Sequence, residues 1–217
     1  MGQTVKSDKY ATPSGEVTLT LVGHGSVMVQ WSGKTIQVDP YSRAGDYSKL
    51  PKADLLLITH EHGDHLDKTA CEKILAPATH IIANPAAAEQ LKGAEVLKNG
   101  QSTSWNGILI EAVPAYNIEH MRAPGQPYHP QGSGNGYVLN FVDFRVYIAG
   151  DTENIPEMKN LGRIDAAFLP KNLPHTMTDG MLVDAAKMVA PKVLYIYHNS
   201  PYQVSEFQEK LPDTVVK

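Results

Sequence analysis

The chain has 217 residues, of which 42% are apolar, and this fits one globular domain spanning residues 1–217 that closes a core without cross-links. A formal net charge of −4 gives no pull toward nucleic acid or an anionic membrane, so neither is expected as a partner. Cys71 is the one cysteine, which excludes disulfides within the chain and any cysteine-rich metal site. No run of about 18 apolar residues is present, so no membrane-inserted helix is expected. Residues 1–14 are polar and read as a flexible N-terminal segment rather than a signal peptide. The cytoplasm is the default compartment, with export the expectation if a leader was removed.

In chain order, residues 16–22 and 26–31 alternate polar and apolar side chains, and residues 34–38 follow a Ser32-Gly33 turn. Three strands are predicted. Residues 54–58 carry Leu55, Leu56, Leu57 and Ile58, a continuous apolar run that suits a strand buried on both faces. Helices are predicted over 67–75 and 85–91, the second with Asn84 as cap and Pro85 in first position. Further strands are predicted at 80–83, 108–113, 137–142, 145–149, 164–169 and 193–197. A helix over 179–189 separates the last two, and another covers 204–211. Strand blocks in both halves, with helices between, predict an α+β protein with two helix-covered sheets. No linker or internal sequence repeat marks a second domain. Three irregular stretches remain, 41–52, 115–136 and 170–179. The middle one holds His120 and His129, and a long loop with histidines points to function.

Thr59-His60-Glu61-His62-Gly63-Asp64-His65 follows the buried strand directly. Two histidines spaced i, i+2 can converge on one ion where the chain turns at a strand end. Asp64 and His65 come next and can reach a neighbouring ion. Imidazole and carboxylate donors suit zinc, with manganese and iron as substitutes.

This His-x-His-x-Asp-His run resembles the signature of the metallo-β-lactamase superfamily. The likeness extends to Val38-Asp39-Pro40, Ile148-Ala149-Gly150-Asp151-Thr152 and Tyr197-His198, in the family's order. Within the superfamily the chain resembles small single-domain hydrolases, ascorbate-phosphate lactonase-like proteins among them and N-acyl-phosphatidylethanolamine phospholipases more distantly. The resemblance implies a four-layer αββα sandwich and two divalent ions. His60 and His62 would bind the first ion, Asp64, His65 and His198 the second, and Asp151 would bridge them. The first ion takes a third histidine, and a segment resembling Tyr128-His129-Pro130-Gln131-Gly132 favours His129 over His120. The commoner Pro-Ala-x-His pattern is absent, since Pro114-Ala115-Tyr116-Asn117 stands there. Asp39 is read as orienting a histidine ligand. His24, His175 and Lys171 stand where contact with substrate and a plain loop role are both open, and His80 and Cys71 read as structural.

Two ions about 4 Å apart would share a hydroxide for attack on a carbonyl carbon or phosphorus, positioned by Asp64 and Asp151. The implied activity is hydrolysis of an ester, lactone or phosphodiester in a small molecule. The alternative is a catalytically weak metal- or ligand-binding module with the same cradle. Gly23-His24-Gly25-Ser26-Val27 is not a nucleophile elbow, which disfavours a serine hydrolase. Substrate, native metal and oligomeric state are not legible in the sequence.

Overall fold

A computed structural model describes residues 6–198 and 202–217. Two compact units divide the chain, Met1–Leu97 and Lys98–Lys217.

In the first unit, β1 (Lys6–Thr12), β2 (Gly15–Gly23), β3 (Ser26–Trp31) and β4 (Lys34–Val38) form an antiparallel meander. Then β5 (Leu55–Ile58), α1 (Lys68–Ile74), β6 (His80–Ala83), α2 (Pro85–Ala88) and β7 (Glu95–Val96) follow, each strand parallel to the one before it. All four residues of β5 are buried, as its unbroken apolar run requires. Asp67 caps α1 by accepting from the Thr69 and Ala70 N–H groups. Ala70, Cys71 and Ile74 of α1 then join Leu56, Ile58 and Val22 in one buried cluster. The flexible segment expected over residues 1–14 is corrected from residue 6 by β1, which pairs with β2 from Lys6↔Leu21 to Thr12↔Gly15, while residues 1–5 lie outside the described residues. Its polar composition is that of an edge strand, where charge discourages pairing with another chain. Helix α2 is shorter than expected, because the N–H groups of Gln90 and Leu91 turn to i−3 carbonyls.

The second unit repeats the plan. β8 (Ser102–Trp105), β9 (Ile108–Ala115), β12 (Gly134–Asn140) and β13 (Arg145–Ile148) form the antiparallel meander, with a small ribbon of β10 (Met121–Ala123) and β11 (Gln126–Pro127) inserted before β12. After a 3-10 turn (Pro156–Asn160) come β14 (Ala166–Pro170), α3 (Asp179–Val189), β15 (Val193–Tyr197), α4 (Val204–Gln208) and β16 (Val215–Val216), with β13 to β16 parallel. Met181, Leu182, Ala185, Ala186 and Val189 of α3 join Ala167, Leu169, Leu194 and Ile196 in a buried cluster. Among the described residues each unit thus holds one seven-stranded sheet.

This plan decides where loops emerge. In the first unit β4, β5 and β6 end at one edge, where the β2–β3 turn also lies, since Val27 pairs with Val38. In the second unit β9, β13, β14 and β15 end at one edge, where β12 begins, since Gly134 pairs with Ala115. Loops beyond parallel strand ends are where ligand-binding groups gather. Asp39, His24 and residues 59–65 leave the first edge, and residues 116–133, 149–155 and 171–178, with His198, leave the second.

Candidate metal centre

Asp39 follows β4 directly, with its side chain fully buried and its backbone in the left-handed region at φ 46°. Oδ1 accepts the Thr59 N–H at 2.8 Å. Oδ2 accepts the Thr59 hydroxyl at 2.5 Å and stands 2.7 Å from His65 Nδ1. Complete burial pushes this carboxyl up from the usual carboxylate range, with His65 and the Thr59 donors pulling the other way. A divalent ion beside His65 would add to that pull.

With Asp39 ionised, its oxygens only accept, and two tautomers follow. His65 must carry its proton on Nδ1, which leaves the lone pair on Nε2. The Thr59 hydroxyl spends its hydrogen on Asp39, so it accepts from His60 Nδ1 at 2.9 Å. His60 therefore also presents its lone pair at Nε2. An ionised Asp39 would thus set both imidazoles in the protonation state that metal binding needs.

His60 Nε2 lies 3.1 Å from His62 Nδ1. Two nitrogens on one tetrahedral zinc, each at about 2.05 Å, stand about 3.3 Å apart, so this pair fits a shared ion. Asp64 Oδ2 lies 3.8 Å from His65 Nε2 and 2.8 Å from His24 Nε2. His60 thus lies beside His62, and Asp64 beside His65. His24 holds Asp64 from a turn residue at φ 49°. Gly25 beside it is obligatory, because a Cβ there would stand 2.7 Å from His65 Cε1.

In the second unit Asp151 is buried, with Oδ2 at 3.5 Å from His129 Nε2 and 3.3 Å from His198 Nε2. One carboxylate oxygen thus lies near two imidazole nitrogens. His198, also left-handed at φ 51°, follows β15 directly. Its Nδ1 lies 3.2 Å from the Asn172 side-chain amide nitrogen. Donation from that nitrogen would put the ring proton on Nε2, and a half-turn of the amide, bringing its oxygen to Nδ1, gives the tautomer a metal requires. His129 needs no such turn: Asn117 Oδ1 accepts both its N–H at 2.9 Å and its Nδ1–H at 2.7 Å.

Glu153 escaped the sequence reading. Its buried carboxylate accepts the N–H groups of Ile118, Glu119 and His120 at 2.7, 2.7 and 2.8 Å. It also accepts Asn117 Nδ2 at 3.0 Å and stands 2.5 Å from His120 Nδ1. Burial raises this carboxyl, but the Asn117 amide and the three N–H groups outweigh it, so Glu153 lies below the ordinary glutamate range. His120 is engaged here, and His129 is the loop histidine beside Asp151. Among the other candidates, Lys171 pairs with Asp179 at 3.0 Å and His80 with Glu95 at 2.8 Å. His175 meets the Tyr128 ring edge-on at 4.7 Å. Cys71 is buried, its thiol pushed up to about 12 by burial first and the nearby carboxylates second, which leaves it inert.

A family model described as the β-lactamase superfamily domain matches residues 18–198, a span that includes both histidine motifs. The chain belongs to the β-lactamase superfamily. It sits among that superfamily's metal-dependent hydrolases. A metal-dependent hydrolase from Methanospirillum hungatei is 30% identical over 210 residues, covering 90% of this chain and 91% of its own length. A crystal structure from Parabacteroides distasonis, described as a metal-dependent hydrolase, is 47% identical with a TM-score of 0.92, over 99% of this chain and 98% of that one. Igni18, a metallo hydrolase from Ignicoccus hospitalis, is 23% identical with a TM-score of 0.75, over 93% and 94% of the two chains, and shows the shared fold. The α+β metallo-β-lactamase fold expected from the motifs is therefore the fold of the chain. Among the described residues no helix is long and apolar enough to cross a membrane.

Proposed function

We propose that the chain hydrolyses an ester, lactone or phosphodiester in a small molecule, with two divalent ions held by its histidines and aspartates. His60, His62 and His129 would hold the first ion and Asp64, His65 and His198 the second, with Asp151 shared by both. The observation that carries this reading is the partner that stands at each Nδ1. His60, His65 and His129 each have Nδ1 committed to a hydrogen bond, which leaves Nε2 as the donor atom, and a solvated loop would impose no such pattern. All-nitrogen and oxygen donors suit zinc, with manganese and iron also accommodated.

When bound, two such ions supply Lewis acidity and a water acidic enough to ionise near neutral pH. Around them, this chain's residues divide the work by burial. Asp151 is 4% exposed and anchors, whereas the Asp64 side chain is 35% exposed and can exchange a proton with solvent. His24, bonded to Asp64, steadies its orientation. The test is turnover of a panel of lactones, carboxylic esters and phosphodiesters by the zinc- or manganese-loaded protein. Saturable hydrolysis of one class, lost on chelation and regained on reloading, is expected. A fully loaded protein inert across the panel would contradict the reading and leave a metal-binding module.

A further inference from the structure

The Asn117 side chain joins two groups that lie far apart in sequence. Its Nδ2 donates to Glu153 Oε1 and to the His175 carbonyl, each at 3.0 Å. Its Oδ1 accepts twice from His129, through the N–H and Nδ1. A carboxylate and a carbonyl can only accept, so the amide cannot be reversed. The oxygen must face His129, the proton must sit on His129 Nδ1, and the lone pair must sit on Nε2.

Asp39 does the same for the first unit's histidines, directly for His65 and through the Thr59 hydroxyl for His60. Glu153 is its counterpart in the second unit, with an amide as the intermediary. It is also anchored more firmly, since three consecutive backbone N–H groups converge on it. A clamp on the 118–120 turn would need only those three bonds. The Asn117 bond adds a path to His129 that a loop clamp does not require.

We propose that Glu153 is a positioning residue for the metal centre, which through the Asn117 amide holds the His129 imidazole in its ligating tautomer and orientation. This rests on the reading of His129 as a ligand of the first ion. His120 donates its own bonds to Glu153 and lies outside the path to His129.

Metal affinity, measured by competition with a chelator on the intact chain, tests the relay independently of turnover. Loss of an outer partner of a ligating histidine typically weakens metal binding about 10–100-fold. That loss is expected for Asn117→Ala and for Glu153→Gln, whose amide would set N–H groups against its donors. Glu153→Asp keeps the charge with a shorter reach and should hold an intermediate affinity, which keeps the test open if Glu153→Gln does not fold. His120→Ala should bind metal as the parent does, and change chiefly KM. The relay is overturned if Asn117→Ala and the folded Glu153 variants lose thermal stability yet keep parental affinity. His129→Ala separates the two levels. If it keeps its full metal complement, the ligand assignment itself is wrong; if it loses metal while the Asn117 and Glu153 variants do not, only the relay fails.

Discussion

At the scale of single residues, the candidate centre depends on the buried side chains of Asp39 and Thr59. Thr59 turns one carboxylate into control over two imidazoles. Three residues of the site, His24, Asp39 and His198, hold left-handed backbone conformations. Such a conformation costs about 1–2 kcal/mol for a residue with a Cβ, and packed surroundings must hold it in place. Gly25 shows how tightly the surroundings close. The His65 ring is buried, fixed at Nδ1 by Asp39, and lies against the Gly25 backbone. Gly25→Ala would drive a methyl into that ring, and the ring cannot yield without giving up its bond to Asp39. Stability should fall by about 1–3 kcal/mol, and the metal of the Asp64–His65 pair should bind more weakly. Denaturant unfolding of the metal-free variant, followed by metal titration, checks both. Parental stability and parental affinity would mean that the His65 ring has room to move.

At the scale of elements, strand ends place the chemistry and caps hold the loops between them. Asp67 does both, since it caps α1 and accepts the Ser42 N–H at 2.8 Å from the loop that follows β4, as well as the Ser42 hydroxyl. Burial raises its carboxyl somewhat, but the Ser42 donors and the N–H groups of Thr69 and Ala70 outweigh this and set it below the ordinary aspartate value of 3.8. A depressed folded-state pKa contributes stability above the unfolded value, and that stability is lost as pH falls through the folded one. Asp67→Ala should therefore cost about 1 kcal/mol at pH 7. Asp67→Asn keeps an accepting oxygen at the cap, so it should cost less at neutral pH and lack this share of the acid sensitivity. Urea unfolding at pH 7 and below pH 4 measures the difference, and an identical pH dependence in parent and Asn variant would remove Asp67 from the account.

Most elements were legible because local patterns decide them. Strands β3, β4, β6 and β15 and helix α3 fall where alternation, turns and caps put them. The metal run at 60–65 was legible for the same reason, being six residues long and lying at a strand end. Asp151 and His198 were singled out through motif likeness, with their place after apolar strand-like runs in support. What escaped depends on distant partners. β1 and β8 are polar edge strands whose register comes from β2 and β9, and β16 is two residues laid against β15. Glu153 looked like any loop glutamate, because its partners lie 33 to 36 residues earlier and are mostly backbone.

At the scale of the whole molecule, the two units share one plan without a sequence repeat to announce it: an antiparallel four-strand meander, then three strands added in parallel. In each, an aspartate lies just beyond the last meander strand, Asp39 after β4 and Asp151 after β13. In each, a histidine follows a parallel strand, His60 after β5 and His198 after β15. The two aspartates have diverged in role, one orienting imidazoles and the other proposed to bridge ions. The central claim is that the chain holds a dinuclear metal centre that includes Asp151. The most direct test is the metal content of protein purified without chelator, for the parent and for Asp151→Ala. About two equivalents of transition metal per chain are expected for the parent, as in two-ion hydrolytic sites, and fewer for the variant, which should stay folded. A parent that holds only one equivalent after reloading, or a variant that keeps the full parental complement, would contradict the account.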